Sequence, residues 1–345
     1  MSQMSKTRIA VLGAGFMGST HARAYATRDD VEIVAIYAQS NDRAAELAAE
    51  LETESTTDLN RVLDDASIEA VDICLPTPAH RVTTEAALAA GKHVLLEKPL
   101  AMTLQDAIAI VDAADEASDQ VVMVAHVLRF WPEYVALKAV IDSGELGRPV
   151  AGVTARRQPF PAWSKLFANA SVTGGAIYDM LIHDFDALNW VLGTPTNVTA
   201  HGLWNPRSGG YDYGQAVIGY ADGTGMAEGG MMHPESYPFT SRFEVLCEHG
   251  AVEYHFQAGG RSFEVGEPTN TLKVYRNEGD PEVIEVDQTD AYANETGYFI
   301  DCIRQGVPAD RATPRDALLA CRLGLAAKES AEFGRTVAID LERVA

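Results

Sequence analysis

The chain has 345 residues, of which 49 are acidic and 27 basic, for a net charge of −22. That balance argues against nucleic acid or an anionic membrane surface as a partner, and no apolar run approaches the ~20 residues of a membrane span. Hydrophobic residues make up 47%, an ordinary globular composition, and the length suits two domains with sizeable cores. Met1 to Lys6 shows no apolar signal-peptide region. Cys74, Cys247, Cys302 and Cys321 have neither disulfide-like nor metal-like spacing, so they read as free thiols in a reducing cytoplasm, with no metal site.

The first apolar run, Ile9 to Leu12, ends in Gly13-Ala14-Gly15-Phe16-Met17-Gly18, a Gly-x-Gly-x-x-Gly turn, and a helical segment follows. In such a strand–turn–helix unit the first glycine permits the tight turn. The second lets a pyrophosphate approach the backbone, and the third lets helix and strand pack closely. The helix N-terminus offers N–H groups and a positive dipole end to the phosphates.

The alternation continues. The pattern predicts strands at 31–37, 70–75, 93–96 and 121–125, and helices at 42–50, 58–63, 82–90 and 104–117. This β-α repetition implies a doubly wound parallel sheet with ligand at the carboxyl ends of its strands. After about residue 126 the pattern changes. A helix over 133–143 and a strand over 150–157 precede a long amphipathic helix over 174–192. Successive strands between 197 and 286 imply an antiparallel sheet, and helices over 289–305 and 314–333 close the chain, the last with Thr313 as cap and Pro314 at its first position. The expected domains are therefore 1–125, a dinucleotide-binding Rossmann domain, and 126–345, a substrate-binding and oligomerisation domain.

Three constellations follow the glycine turn. At the end of the second strand, a dinucleotide-binding unit usually carries Asp or Glu for the adenosine ribose. This chain has Ala38 there, then Gln39, Ser40, Asn41 and Arg43 nearby. A 2′-phosphate would meet no repulsion and could find Ser40 and Arg43, which tilts the expectation toward NADP over NAD. Glu97-Lys98-Pro99 follows a strand at the mouth of the sheet, where Lys98 could reach a ligand or simply pair with Glu97. Asp179 and His183 are four apart, hence on one face of the expected helix. They read as a general acid/base pair, as part of a metal site lacking further ligands, or as a satisfied core pair.

Together with Thr77-Pro78-Ala79-His80, Arg129-Phe130-Trp131-Pro132 and the Gly174-Gly175 pair before Asp179, these motifs resemble the Gfo/Idh/MocA family of glucose–fructose oxidoreductase and inositol dehydrogenase relatives, over nearly the whole chain. The resemblance implies a Rossmann domain followed by an α+β domain whose large, mostly antiparallel open sheet makes homodimer or homotetramer contacts. It implies NAD(P) held along Gly13, Gly15, Phe16, Met17 and Gly18, at Ala38, Ser40 and Arg43, along Leu75, Pro76, Thr77 and His80, and at Glu97 and Lys98.

It also implies a catalytic Lys98–Asp179–His183 set oxidising a secondary alcohol of a sugar, sugar derivative or cyclitol. His183 would act as general base, Asp179 would orient it, and Lys98 would stabilise charge on the oxygen. Substrate-pocket candidates are Arg129, Trp131, Arg156, Arg157, Trp163 and Tyr237. A non-catalytic NAD(P)-sensing regulator and an NAD-dependent glycosidase on the same fold are the alternatives.

Overall fold

The computed structural model describes residues 6–162, 164–260 and 267–341. Trp163 lies outside them. The chain divides into two compact units: residues up to Trp131 together with Thr289–Leu318, and Pro132–Gln288 together with the chain from Leu319. This differs from a contiguous division after residue 125. Residues 126–131 and the segment 289–318 belong with the first unit, for a packing reason given below.

In the first unit β1 (Thr7–Leu12) leads to α1 (Phe16–Ala26), β2 (Val31–Tyr37), α2 (Asn41–Glu50), β3 (Glu54–Thr56), α3 (Leu59–Leu63), β4 (Ala70–Ile73), α4 (His80–Ala89), β5 (His93–Glu97), α5 (Leu104–Glu116) and β6 (Val122–Ala125). The strands form one parallel sheet in the order β3-β2-β1-β4-β5-β6. The central strand β4 and the edge strand β6 are both buried at every position, as a sheet covered on both faces requires. Helix starts are written locally: Thr103 accepts the Asp106 N–H at 3.1 Å and Asp58 accepts the Asn60 N–H at 3.0 Å.

The second unit begins with α6 (Pro132–Asp142) and β7 (Pro149–Pro159), then three short helices, α7 (Ala170–Thr173), α8 (Ala176–Asp179) and α9 (Ile182–Leu192). The strands β8 (Pro195–Asn205), β9 (Gly210–Tyr220), β10 (Thr224–His233), β11 (Thr240–Cys247), β12 (Gly250–Gln257), β13 (Thr269–Arg276) and β14 (Glu282–Ile284) follow. The chain closes with α10 (Ala291–Gln305), α11 (Pro314–Phe333) and β15 (Val337–Ala338). The nine-stranded order is β14-β13-β12-β11-β7-β10-β9-β8-β15. Among the described residues only the β10–β7 pair is parallel. At the α11 start Thr313 and Asp316 cap each other, with Asp316 N–H to Thr313 Oγ1 at 3.1 Å and Thr313 N–H to Asp316 Oδ2 at 2.9 Å.

The segment 289–318 joins the first unit because α10 supplies core. Phe299, Ile300 and Cys302 share one buried cluster with Ile9, Val11, Tyr25 and Leu95, and Val124 donates its N–H to Ala312 O at 2.9 Å. Sequence periodicity identifies α10 as a helix but carries no information on which sheet it covers.

The expected single helix over 174–192 is not formed. Gly174 and Gly175 have φ of 85° and 77°, a left-handed conformation that ends α7 and restarts the chain. A Cβ on Gly175 would stand 2.8 Å from Tyr211 O. A second break falls at Leu181, whose N–H bonds back to Ala176 O, five residues earlier, at 3.0 Å. Asp179 therefore ends α8 and His183 is the second residue of α9, so their four-residue spacing no longer places them on one regular face.

One face of the nine-stranded sheet carries α8 and α9: Cβ atoms on Gly152 and Gly225 would contact Leu188, and one on Gly214 would contact Ile177. Strand alternation puts Leu203, Val217, Met226 and Leu246 on the other face, where they are 58%, 54%, 38% and 51% exposed.

Candidate functional site

The glycine turn is held by three different constraints. Gly13 has φ of 131°, and a Cβ there would lie 2.4 Å from Cys74 O. A Cβ on Gly18 would fall 1.9 Å from Gly13 O. At Gly15, the N-cap of α1, a Cβ would meet nothing within 4 Å, and no side chain caps the helix. Gly15 therefore presents bare backbone and uncapped N–H groups to open space, with Phe16 exposed beside it. That is the cradle a pyrophosphate needs, so these residues fit NAD or NADP.

The order β2-β1-β4-β5 brings the carboxyl ends of four strands side by side. Ala38, Ser40 and Arg43 follow β2, with the latter two exposed. Gly13 to Gly18 follow β1, Leu75, Pro76 and Thr77 follow β4, and Lys98 follows β5. Met17, Leu75, Thr77 and Lys98 are half-buried and Pro76 is exposed.

Two of the expected cofactor contacts turn inward. His80 is buried, with Nε2 2.9 Å from Leu75 O and Nδ1 3.0 Å from Pro99 O. It ties the loop after β4 to the turn after β5, and burial lowers its pKa. Glu97 is also buried, and its Oε2 accepts the Lys98 backbone N–H at 2.9 Å.

Beneath the turn lies a cluster that motif reading missed. His21 of α1 is fully buried. Its Nδ1 is 2.9 Å from Asp72 Oδ2, and its Nε2 is 3.4 Å from Glu97 Oε1 and 3.7 Å from Glu295 Oε2. The legible signal was Asp72, a carboxylate inside an otherwise apolar strand. Burial alone would lower the His21 pKa. The Asp72 charge and hydrogen bond, then Glu97 and Glu295, outweigh it and push the imidazole up to about 10. Burial raises both glutamates, Glu295 most.

All three shifts mean that the folded state binds protons more tightly. The His21 contribution is complete below about pH 6.5 and is lost as pH rises through about 10. The denaturant midpoint should therefore fall between pH 6.5 and 9, and His21→Asn should flatten that slope. A midpoint that rises with pH in the unmodified protein would contradict this.

In the second unit, Asp179 and His183 are half-buried within a stretch, 173–189, that is otherwise buried. They are its two points of access. Beside them in the chain, Ala176 and Met180 pack against Met231, Phe160 and Phe167.

The substrate candidates separate. Arg129 is buried in the first unit and paired to Asp316 at 3.2 Å. Trp131, at the end of that unit, is half-buried. Arg156 points to the helix side of β7, where its Nε meets Asp184 Oδ2 at 2.7 Å and its Nη2 donates to Tyr134 OH at 3.3 Å. Arg157, one residue on, points to the opposite face and pairs with Glu228 at 2.6 Å. The two arginines therefore cannot line one pocket. Tyr237 packs against His233 with ring centroids 4.4 Å apart and the rings tilted by 39°.

A cavity of this unit, about 460 Å³, includes Arg157, Tyr213, Glu228 and Arg242. It lies on the face away from α8 and α9. Removing one partner of the buried Arg156–Asp184 pair strands a charge, so Asp184→Ala should cost about 3–5 kcal/mol of stability, measured by denaturant titration; a loss under about 1 kcal/mol, as for a surface pair, would show the pair to be solvated.

Comparison with known proteins agrees with this geometry. Residues 7–126 match the model of the oxidoreductase family with NAD-binding Rossmann fold, and residues 134–253 match the GFO/IDH/MocA C-terminal domain. The chain is 30% identical to the scyllo-inositol 2-dehydrogenase (NAD(+)) of Bacillus subtilis (strain 168) over 356 aligned residues, covering 98% of each protein. It is 30% identical to the 1,5-anhydro-D-fructose reductase of Ensifer adhaerens, covering 90% of this chain and 91% of that one. The crystal structure of myo-inositol 2-dehydrogenase from Lactobacillus plantarum superposes with a TM-score of 0.81 at 23% identity, over 97% of this chain and all of that one, which shows the shared fold. The chain belongs to the Gfo/Idh/MocA oxidoreductase family and is an NAD-binding Rossmann enzyme of that family. Among the described residues no helix is long and apolar enough to cross a membrane.

Proposed function

We propose that this enzyme reversibly oxidises a secondary alcohol of a sugar, sugar derivative or cyclitol. The observation that carries this reading is the open Gly15 cradle with Lys98 at the end of a nearby strand of the same sheet, one strand removed. Inositol and anhydrofructose chemistry in the names of the relatives supports the substrate class.

The bound nicotinamide supplies the hydride acceptor. His183 takes the alcohol proton, since an alcohol gives up hydride readily only as its O–H proton leaves. Asp179 orients the imidazole, and Lys98 donates to the same oxygen as negative charge develops there. The first unit supplies cofactor binding and the second supplies substrate contacts. A screen of cyclitols, sugars and their keto forms with both cofactors, read at nicotinamide absorbance, tests the reading. Net turnover of at least one cyclitol or sugar supports it. Cofactor binding without turnover would indicate a sensor, and bond cleavage without net redox a glycosidase.

Ala38 favours NADP. No carboxylate at that position repels a 2′-phosphate, and Ser40 and Arg43 are exposed beside it. NADP(H) should bind at least as tightly as NAD(H), and Ala38→Asp should shift preference toward NAD. Fluorescence titration decides; markedly tighter NAD binding by the unmodified protein sinks the preference.

The apolar residues on the uncovered sheet face support a homodimer or homotetramer built on that face. Sedimentation as a monomer at micromolar concentration would exclude it.

A further inference from the structure

Lys98 needs a fixed backbone to place its ammonium, and the support beneath it is a buried ion cluster. On its own helix His21 is accompanied by Tyr25. From β4 it faces Asp72 and Cys74, from β5 Glu97, and from α10 Glu295 and the Tyr292 ring, whose centroid is 6.1 Å away. The Nδ1–Asp72 spacing is that of a hydrogen bond, while Nε2 faces Glu97 and Glu295 at ion-pair distances of 3.4 and 3.7 Å. Nδ1 and Asp72 Oδ2 are 2.9 Å apart, whereas two ligands of one tetrahedral zinc ion would stand about 3.3 Å apart. The other Asp72 oxygen accepts from the Cys74 thiol at 3.2 Å.

Carboxyl groups this deep need a cation among them or a proton of their own. The two oxygens of Glu97 divide the work. Oε1 meets the His21 ring, and Oε2 takes the Lys98 backbone N–H.

We propose that His21 is a positioning residue for Lys98: a buried imidazolium, anchored by Asp72, that holds the Glu97 carboxylate against the Lys98 backbone N–H. The proposal rests on the reading of Lys98 as a catalytic residue, and its test separates the two. Without the imidazolium, the Glu97 carboxylate faces Asp72 with no counter-ion between them. Glu97 then takes a proton or turns away, and the lysine loses its fixed backbone. Misplacing a catalytic group by about 1 Å can cost ~10²-fold in rate.

The first measurements need no activity. In protein labelled with ¹³C-histidine, the His21 signal, assigned by its absence in His21→Asn, should remain that of an imidazolium to pH 9. In Glu97→Gln its titration should move to lower pH. In reductively ¹³C-methylated protein, the Lys98 signal, assigned by its loss in Lys98→Met, should shift in both His21→Asn and Glu97→Gln. A His21 that titrates near 6.5 in the unmodified protein, or a Lys98 signal unmoved by either substitution, overturns the proposal even if one variant fails to fold.

In the holoenzyme, on the cyclitol or sugar it turns over, His21→Asn should lower kcat by about 10²-fold with KM and cofactor Kd within threefold. The double variant with Lys98→Met should be no slower than Lys98→Met alone. Multiplying losses would mean that His21 acts independently of Lys98, which contradicts the proposal. Should Lys98→Met itself leave kcat unchanged, the catalytic reading fails while the spectroscopic result on His21 still stands or falls by itself.

Discussion

Lys98→Ala is expected to lower kcat by about 10²–10³-fold, with cofactor affinity changed by only a few fold. The magnitude is that of removing one preorganised donor from a developing oxyanion. The side chain is half-buried at the carboxyl end of β5, and its backbone is fixed from below by Glu97. The charge it meets arises only as the alcohol proton leaves, so the loss should appear in kcat rather than in binding. Pairing it with Asp179→Asn or His183→Ala should cost less than the product of the single losses, because groups that act on one oxygen act as a unit. Steady-state kinetics beside a cofactor titration check this. A loss confined to cofactor affinity would make Lys98 a binding residue.

Two glycines of the turn should fail in opposite ways. Gly18→Ala places a Cβ 1.9 Å from Gly13 O. Both atoms belong to the β1–α1 junction, so backbone must move, and overpacking of this kind costs about 1–3 kcal/mol or more. Thermal stability should fall, and cofactor binding with it. Gly15→Ala meets nothing within 4 Å, and its φ of −80° suits any residue. Thermal stability should therefore hold, while the added methyl enters the space a pyrophosphate occupies and weakens NAD(P) at least tenfold. Melting curves and cofactor titrations of the two variants decide it. Equal stability losses, or unimpaired cofactor binding by Gly15→Ala, would mean that the turn is structural only.

These contrasts show what the sequence exposes. The Rossmann half was legible because a β-α repeat has two periodicities and its glycines have separate steric duties, each of which appears at Gly13, Gly15 and Gly18. The mostly antiparallel sheet was legible from its turns.

Allocation of α10 to the first unit was not legible, since an amphipathic stripe states that a helix is covered without stating by what. The break before α8 was written in Gly174 and Gly175, whereas the break at Leu181, between Asp179 and His183, was masked by the amphipathic pattern on either side. The distinction between Arg156 and Arg157 follows from strand alternation alone, and so could have been drawn from the expected strand. His80 and Glu97 were read as facing the cofactor because they flank residues assigned to it by the same motifs. His80 is buried where the loops after β4 and β5 meet, whereas Glu97 is buried against His21 of α1. His21 and Glu295 lie 274 positions apart, and only the packing of α10 against α1 gives that pair meaning.

His183 is proposed above as the general base for hydride transfer. Single-turnover transfer with cofactor saturating tests it most directly, measured against pH for the unmodified enzyme and for His183→Ala. The unmodified enzyme should show a limb near neutrality, where a histidine base titrates. His183→Ala should be slower by about 10²–10⁴-fold and should lack that limb. A His183→Ala enzyme that transfers hydride at nearly the unmodified rate, with the same pH profile, would contradict the assignment.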